Sequence, residues 1–140
     1  GRVCNKKLQK IAEQIGSEIA KRDYMLVCGA MGGVMEASCK GAKKYGGLTI
    51  GILPGKTKED ANKYIDIPIV TAMSHARNAI IVRTADVIIA IGGQYGTLSE
   101  IGLAKATNKT VIGLYTWDIP GIKKVRSVKE IFEYIKKGKG

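Results

Sequence analysis

Two segments of this chain share one pattern, and few folds accommodate that pattern twice. In each, a short apolar run ends in glycines and passes straight into a helical period. Tyr24-Met25-Leu26-Val27-Cys28 leads into Gly29-Ala30-Met31-Gly32-Gly33 and a helix over 34–44. Asp86-Val87-Ile88-Ile89-Ala90-Ile91 leads into Gly92-Gly93-Gln94-Tyr95-Gly96-Thr97 and a helix to about 107. A continuously apolar run of this length suits a strand buried on both faces, as in a parallel sheet. Glycines at its end allow a tight reversal and a close approach of the backbone. Glycine is in excess, with 18 copies among 140 residues, roughly twice average usage. The glycines cluster at the ends of apolar runs and form no repeat.

The rest of the chain fits the same scheme. Leu8, Ile11, Ala12, Ile15 and Ile19 recur at helical spacing, predicting a helix over 5–22 with Asn5 as its N-cap. Residues 48–53 read as a strand and 54–64 as a polar loop. Residues 65–70 read as an extended piece in which Pro68 argues for an edge or irregular strand. Ser74 is placed to cap a helix running to about 84. A strand over 110–115 is followed by a loop through Trp117-Asp118-Ile119-Pro120-Gly121. The last helix, 127–137, opens on the capping box Ser127-x-x-Glu130 and carries Val128, Ile131, Phe132 and Ile135 as its apolar stripe. Buried strands alternating with helices predict one α/β domain over 1–140, Rossmann-like and doubly wound. Its sheet is mainly parallel, with helices on both faces. Ligands of such sheets bind at the carboxyl ends of the strands, where both glycine turns lie. The chain opens on a helix, with no strand before it.

Composition narrows the function classes. A 45% hydrophobic and 25% charged chain is that of an ordinary globular protein. No stretch of about 20 apolar residues offers a membrane span, and the start has no signal-peptide pattern. The three cysteines lack metal-ligand spacing and read as reduced thiols of a cytoplasmic protein. A metal site is not expected from one histidine and no clustered cysteines or carboxylates. The net charge of +11 favours anionic partners, or else marks a lysine-rich solvated surface. The basic residues are not interleaved with aromatics, which argues against nucleic acid.

The glycine turns are the chemistry-bearing segments. Each delivers a helix start, with its free N–H groups and partial positive charge, to the end of a strand, a setting that suits phosphate. The same glycines also serve a plain strand-to-helix turn. Neither turn is a Walker loop or a G-x-G-x-x-G fingerprint. Gly92-Gly93-x-x-Gly96-Thr97 is the stronger of the two, since the Thr97 hydroxyl can donate to a phosphate oxygen. Thr97-x-x-Glu100 is also a capping box, so spacing leaves Glu100 open as helix cap or as catalyst. Arg77 reads either as a phosphate clamp or as a surface arginine, and His75 as incidental.

These residues resemble a known family. Gly92-Gly93-Gln94-Tyr95-Gly96-Thr97-Leu98-Ser99-Glu100 is similar to the PGGxGTxxE signature of the LONELY GUY (LOG-like) proteins, long labelled lysine decarboxylases. Met73-Ser74-His75-Ala76-Arg77-Asn78 resembles that family's MHxRK segment, and Gly32-Gly33-Val34-Met35-Glu36-Ala37 its first glycine turn. The three motifs stand in the family's order, and the resemblance spans nearly the whole chain. Ile91 replaces the proline of the signature, Asn78 replaces the lysine, and Gln94 adds a residue between Gly93 and Gly96. With Thr116-Trp117-Asp118-Ile119, these departures make the chain most similar to the sister branch that includes the molybdenum-cofactor carrier proteins.

The resemblance implies a binding or carrier protein for a phosphorylated, nucleotide-like or molybdopterin-type ligand, with no further cofactor required. Gly32, Gly33, Gly92, Gly93, Gly96 and Thr97 would hold the ligand. The alternative it implies is a nucleoside 5′-monophosphate phosphoribohydrolase in which Glu100 and Arg77 are the catalytic pair. A carboxylate beside the anomeric carbon suits the oxocarbenium-like transition state of that reaction. A third reading, single-stranded DNA binding, rests on distant relatives of the fold. A pyridoxal-dependent decarboxylase is not supported, since no lysine stands in a recognisable Schiff-base setting. The resemblance further implies a homodimer or homotetramer. It also implies a first strand with a third glycine turn, just after which Gly1-Arg2-Val3 would lie.

Overall fold

The computed structural model describes residues 5–139, and the expectation attached to Gly1-Arg2-Val3 lies outside them. Helix α1 (Asn5–Lys21) buries Leu8, Ile11, Ala12, Ile15 and Ile19 along one stripe, as their spacing predicts. Asn5 lies within the helix and is not at the predicted N-cap position. Strand β1 (Leu26–Cys28), α2 (Val34–Lys44), β2 (Thr49–Leu53) and β3 (Ile67–Val70) follow. Then come α3 (Asn78–Thr84), β4 (Val87–Gly92), α4 (Tyr95–Ala106), β5 (Thr110–Thr116), the two-residue β6 (Lys123–Lys124) and α5 (Val128–Lys139). Strand β6 is absent from the sequence reading because a lysine pair carries no strand signal; pairing with the middle of β5 creates it.

All strand pairs are parallel. They form two three-stranded sheets, β1-β2-β3 and β4-β5-β6. No strand pairing joins the two sheets among the described residues; instead Leu26 of β1 and Ile89 and Ile91 of β4 pack on one cluster with α1. Pro68 sits, as expected, on an edge strand, since among the described residues β3 pairs with β2 alone.

Alternation along β4 and β5 explains why helices cover both faces of the second sheet. Ile89, Ile91, Ile112 and Leu114 face a cluster built with Ile11, Ile15 and Ile19 of α1 and Ile131, Phe132 and Ile135 of α5. Ile88, Ala90 and Val111 point the other way, onto Val82 of α3 and Ile101 and Ala104 of α4. Each fully buried leucine or isoleucine in these layers contributes about 1.5–3 kcal/mol.

Helices α1 and α2 cross with their backbones in contact. A Cβ added at Gly16 would stand 1.8 Å from the Ser38 carbonyl oxygen, and one at Gly41 would stand 1.9 Å from that of Glu13. The Ser17 hydroxyl donates to the Gly41 carbonyl at 3.2 Å across the same crossing.

Helix α5 begins as its capping box predicts. The Glu130 N–H donates to Ser127 Oγ, and the Glu130 carboxylate accepts from the Arg126 N–H, both at 3.2 Å. Helix α3 does not begin as expected. Ser74–Arg77 forms a 3-10 turn, and α3 has Arg77 at its N-cap position, with no side-chain cap bond. The Ser74 N–H is engaged by the Pro54 carbonyl at 3.0 Å, and the residue takes the left-handed φ of 53°. That attachment to the chain beyond β2 overrides the capping preference.

Candidate functional site

Arg77 leaves the 3-10 turn and reaches under the ends of the first sheet. Its Nη1 donates to the Gly29 carbonyl at 2.6 Å and to the Ile52 carbonyl at 2.7 Å, tying the carboxyl ends of β1 and β2 together. Its Nε donates to Asn78 Oδ1 at 2.8 Å. Three of the five N–H donors of the guanidinium are thereby fixed on the protein, and the two on Nη2 remain. The fit is close: a Cβ at Gly29 would lie 2.7 Å from Arg77 Nη1. Arg77 is therefore half-buried and anchored, which settles the choice against a free surface arginine.

Glu100 approaches from the second sheet's side, on α4. That helix begins at Tyr95 with Gln94 at its N-cap position and no side-chain cap bond. Thr97 is thus the third helical residue and Glu100 the sixth, one turn too deep for a capping box, so the capping reading of Glu100 is not realised. The chain enters the helix three residues earlier than the Thr97 box requires. Burial pushes the Glu100 carboxyl above its ordinary range, and the positive charge of Arg77 opposes that shift. Burial likewise draws Arg77 below its usual value, while Glu100 and the Cys28 sulfur oppose it. Arg77 and Cys28, at the end of the first sheet, and Glu100, on the helix after β4, thus lie within one another's electrostatic reach, at the seam where the two sheets adjoin.

Both glycine turns open at the carboxyl ends of strands. Gly33 is the N-cap of α2, with φ 66°, and Gly92 ends β4, with φ 84°; both are conformations that favour glycine. Apart from adjacent residues and, at Gly96, its own helix backbone, no heavy atom stands within 4 Å of where a Cβ would be at Gly32, Gly33, Gly93 or Gly96. The protein itself does not crowd these positions, which leaves the space above them open to a ligand. Thr97 is half-buried beside the second turn and His75 is exposed.

Three supports of the site were not read as such from the sequence. Asn62, from the segment read as polar loop, clamps the first turn. Its Nδ2 donates to the Met31 carbonyl at 2.8 Å and its main-chain N–H to the Ala30 carbonyl at 2.8 Å. Asn78 is buried and orients Arg77; the MHxRK comparison marked it only as a departure. The second turn is held from β5, after a register shift at Ile91/Gly92. There the Thr116 hydroxyl donates to the Gly92 carbonyl at 2.7 Å, and Trp117 Nε1 donates to the Gln94 carbonyl at 3.2 Å. Tyr95, 82% exposed, stacks on Trp117 with ring centroids 6.1 Å apart.

Parallel sheets covered by helices on both faces, with open glycine turns at the strand ends, define a Rossmann-like protein of the LOG type. The chain belongs to the SLOG cluster4 family, whose model matches residues 1–138. It is similar over its whole length to the molybdenum cofactor binding protein of the phototrophic bacterium Rippkaea orientalis. The two are 38% identical with a TM-score of 0.92, and the chain covers 93% of that protein. It is also similar to the molybdenum cofactor carrier protein of Chlamydomonas reinhardtii, at 31% identity and a TM-score of 0.86, over 94% of this chain and 88% of that one. A cytokinin riboside 5′-monophosphate phosphoribohydrolase of Mycobacterium marinum is 30% identical over 123 residues, 79% of this chain. The chain spans 64% of that enzyme's length.

Proposed function

We propose that the protein binds a phosphorylated, nucleotide-like ligand of the molybdopterin type at the mouth of the seam between its sheets, and serves as its carrier. One observation carries this reading. The Arg77 guanidinium is locked onto the Gly29 and Ile52 carbonyls, so its two remaining donors are held in a fixed orientation beside the start of the first glycine turn. Gly32 and Gly33 on one side, and Gly92, Gly93, Gly96 and Thr97 on the other, receive the phosphate and the adjoining part of the ligand. The helix starts of α2 and α4 add N–H donors to the same anion. The likeness to cofactor-binding and cofactor-carrier proteins over nearly the whole chain supports the ligand class.

A second reading, hydrolysis of the N-glycosidic bond of a nucleoside 5′-monophosphate, is favoured by the Glu100–Arg77 pairing. A partly buried carboxylate held near an anchored cation is suited to stabilise an oxocarbenium-like transition state, and the mycobacterial relative is named for such a reaction. The deciding experiment places a panel of nucleoside 5′-monophosphates and isolated molybdopterin beside the protein, following thermal stabilisation and release of free base together. Stabilisation by the pterin without base release supports the carrier reading. Base release that disappears in Glu100→Gln establishes the hydrolase. Neither stabilisation nor release would sink both.

A further inference from the structure

The reversal from β1 through the first glycine turn into α2 brings Cys28 and Cys39 back together, with their sulfurs 3.5 Å apart. Cys28 is half-buried, at the end of the strand, whereas Cys39 is fully buried within α2. We propose that these two residues form a hydroperoxide-reactive dithiol that closes to an intramolecular disulfide beneath the turn. The sulfurs need to approach by about 1.5 Å to reach bonding distance, a range side-chain rotation covers.

The surroundings assign different roles to the two thiols. The Ala30 N–H donates to the Cys28 sulfur at 3.4 Å, and Arg77 adds a positive field there, partly offset by Glu100. The hydrogen bond from Cys39 is the main influence holding the Cys28 thiol below its ordinary value, and the same contact together with burial pushes Cys39 well above its own. Cys28 is thus the more acidic and the more reachable of the two thiols, and Cys39 the partner that resolves it. In the first step the Cys28 thiolate attacks one oxygen of a hydroperoxide. The O–O bond breaks, an alkoxide or hydroxide leaves and takes a proton from water, and Cys28 becomes a sulfenic acid. In the second step the Cys39 sulfur attacks the sulfenic sulfur and its S–O bond breaks. The departing hydroxyl takes the Cys39 proton and leaves as water. The sum is two thiols and one hydroperoxide giving one disulfide, one alcohol (or water) and one water, a two-electron oxidation balanced by the peroxide.

The test uses the full chain carrying Cys4→Ser, so that only these two thiols remain. Hydrogen peroxide is added in stoichiometric amount, the product is alkylated in denaturant, and tryptic peptides are weighed. Cys28 and Cys39 fall on one tryptic peptide, residues 23–40. An internal disulfide therefore shows as loss of two hydrogens and of both alkylations from that single peptide, while a bond between copies joins two such peptides. The expected result is the internal bond, formed about tenfold faster in the folded protein than in urea. Cys39→Ala is expected to stop at a Cys28 sulfenic acid that dimedone captures, and Cys28→Ala to leave Cys39 fully alkylated. Full alkylation of both cysteines after peroxide, a bond between copies, or dimedone capture at Cys39 would each overturn the proposal. The mass measurement on the two-cysteine protein decides the matter even if a variant does not fold.

Discussion

Arg77 and Glu100 differ in how much of their chemistry the protein has already committed. Three of the Arg77 donors hold main-chain or amide oxygens, so its loss acts on the fold as well as on a ligand. Arg77→Lys keeps the charge but not the fork. It is expected to lower stability by about 2 kcal/mol, since hydrogen bonds to charged groups contribute on that order; chemical denaturation reads this directly. Glu100 makes no such commitment, and its carboxyl is raised by burial. A carboxyl raised on folding stabilises the protein below its unfolded value, and that stability is lost as pH rises through the folded value. Glu100→Gln removes this dependence. The variant is therefore expected to gain melting temperature relative to the parent as pH rises from the ordinary carboxylate range toward neutrality. A difference in melting temperature that stays constant across that range would show that Glu100 is not ionising in the locus. At the same residue, any base-releasing activity is expected to fall at least about a hundredfold.

The two strand–turn–helix units, the edge position of Pro68 and the capping box of α5 were all legible in the sequence, because each rests on local spacing. What was not legible depends on distant partners. Ser74 reads as a cap until the Pro54 carbonyl takes its N–H, and Thr97-x-x-Glu100 reads as a box until α4 starts at Tyr95. Asn62 and Asn78 look like ordinary polar residues because what they hold, the Ala30 and Met31 carbonyls and the Arg77 Nε, is known only from the fold. At this scale the glycines separate into two kinds. Gly96 lies in α4 with open space around it, so Gly96→Ala is expected to raise stability by about 0.5–1 kcal/mol while weakening binding of a phosphorylated ligand roughly tenfold. Gly16→Ala runs into the Ser38 carbonyl and is expected to cost about 3 kcal/mol, a fall on the order of 10 °C in melting temperature. Thermal melts and ligand titrations of the two variants check both signs.

The molecule as a whole carries a net charge of +11, and no helix among the described residues is long and apolar enough to cross a membrane. An anionic ligand of the kind proposed would be drawn by that field, so its affinity is expected to fall severalfold between low and physiological salt. Titration at two salt concentrations measures this. The division into two sheets has its own signature. Strands β2 and β5 are paired on both sides, whereas β1 and β4 each pair on one side only among the described residues. Amides of β1 and β4 on their unpaired edges are expected to exchange hydrogen faster than those of β2 and β5.

The crossing of α1 on α2 bears on how this chain can drift. Gly16 and Gly41 lie in helix interiors, away from both glycine turns, and each faces a carbonyl oxygen that leaves no room for even a methyl group. A saturation library selected only for folded protein would strip variation from these two positions while leaving Gly96 permissive. Selection for ligand retention would then close Gly96 as well. Comparing the two maps separates what architecture forbids from what chemistry forbids, and a single map of intolerant glycines would merge them.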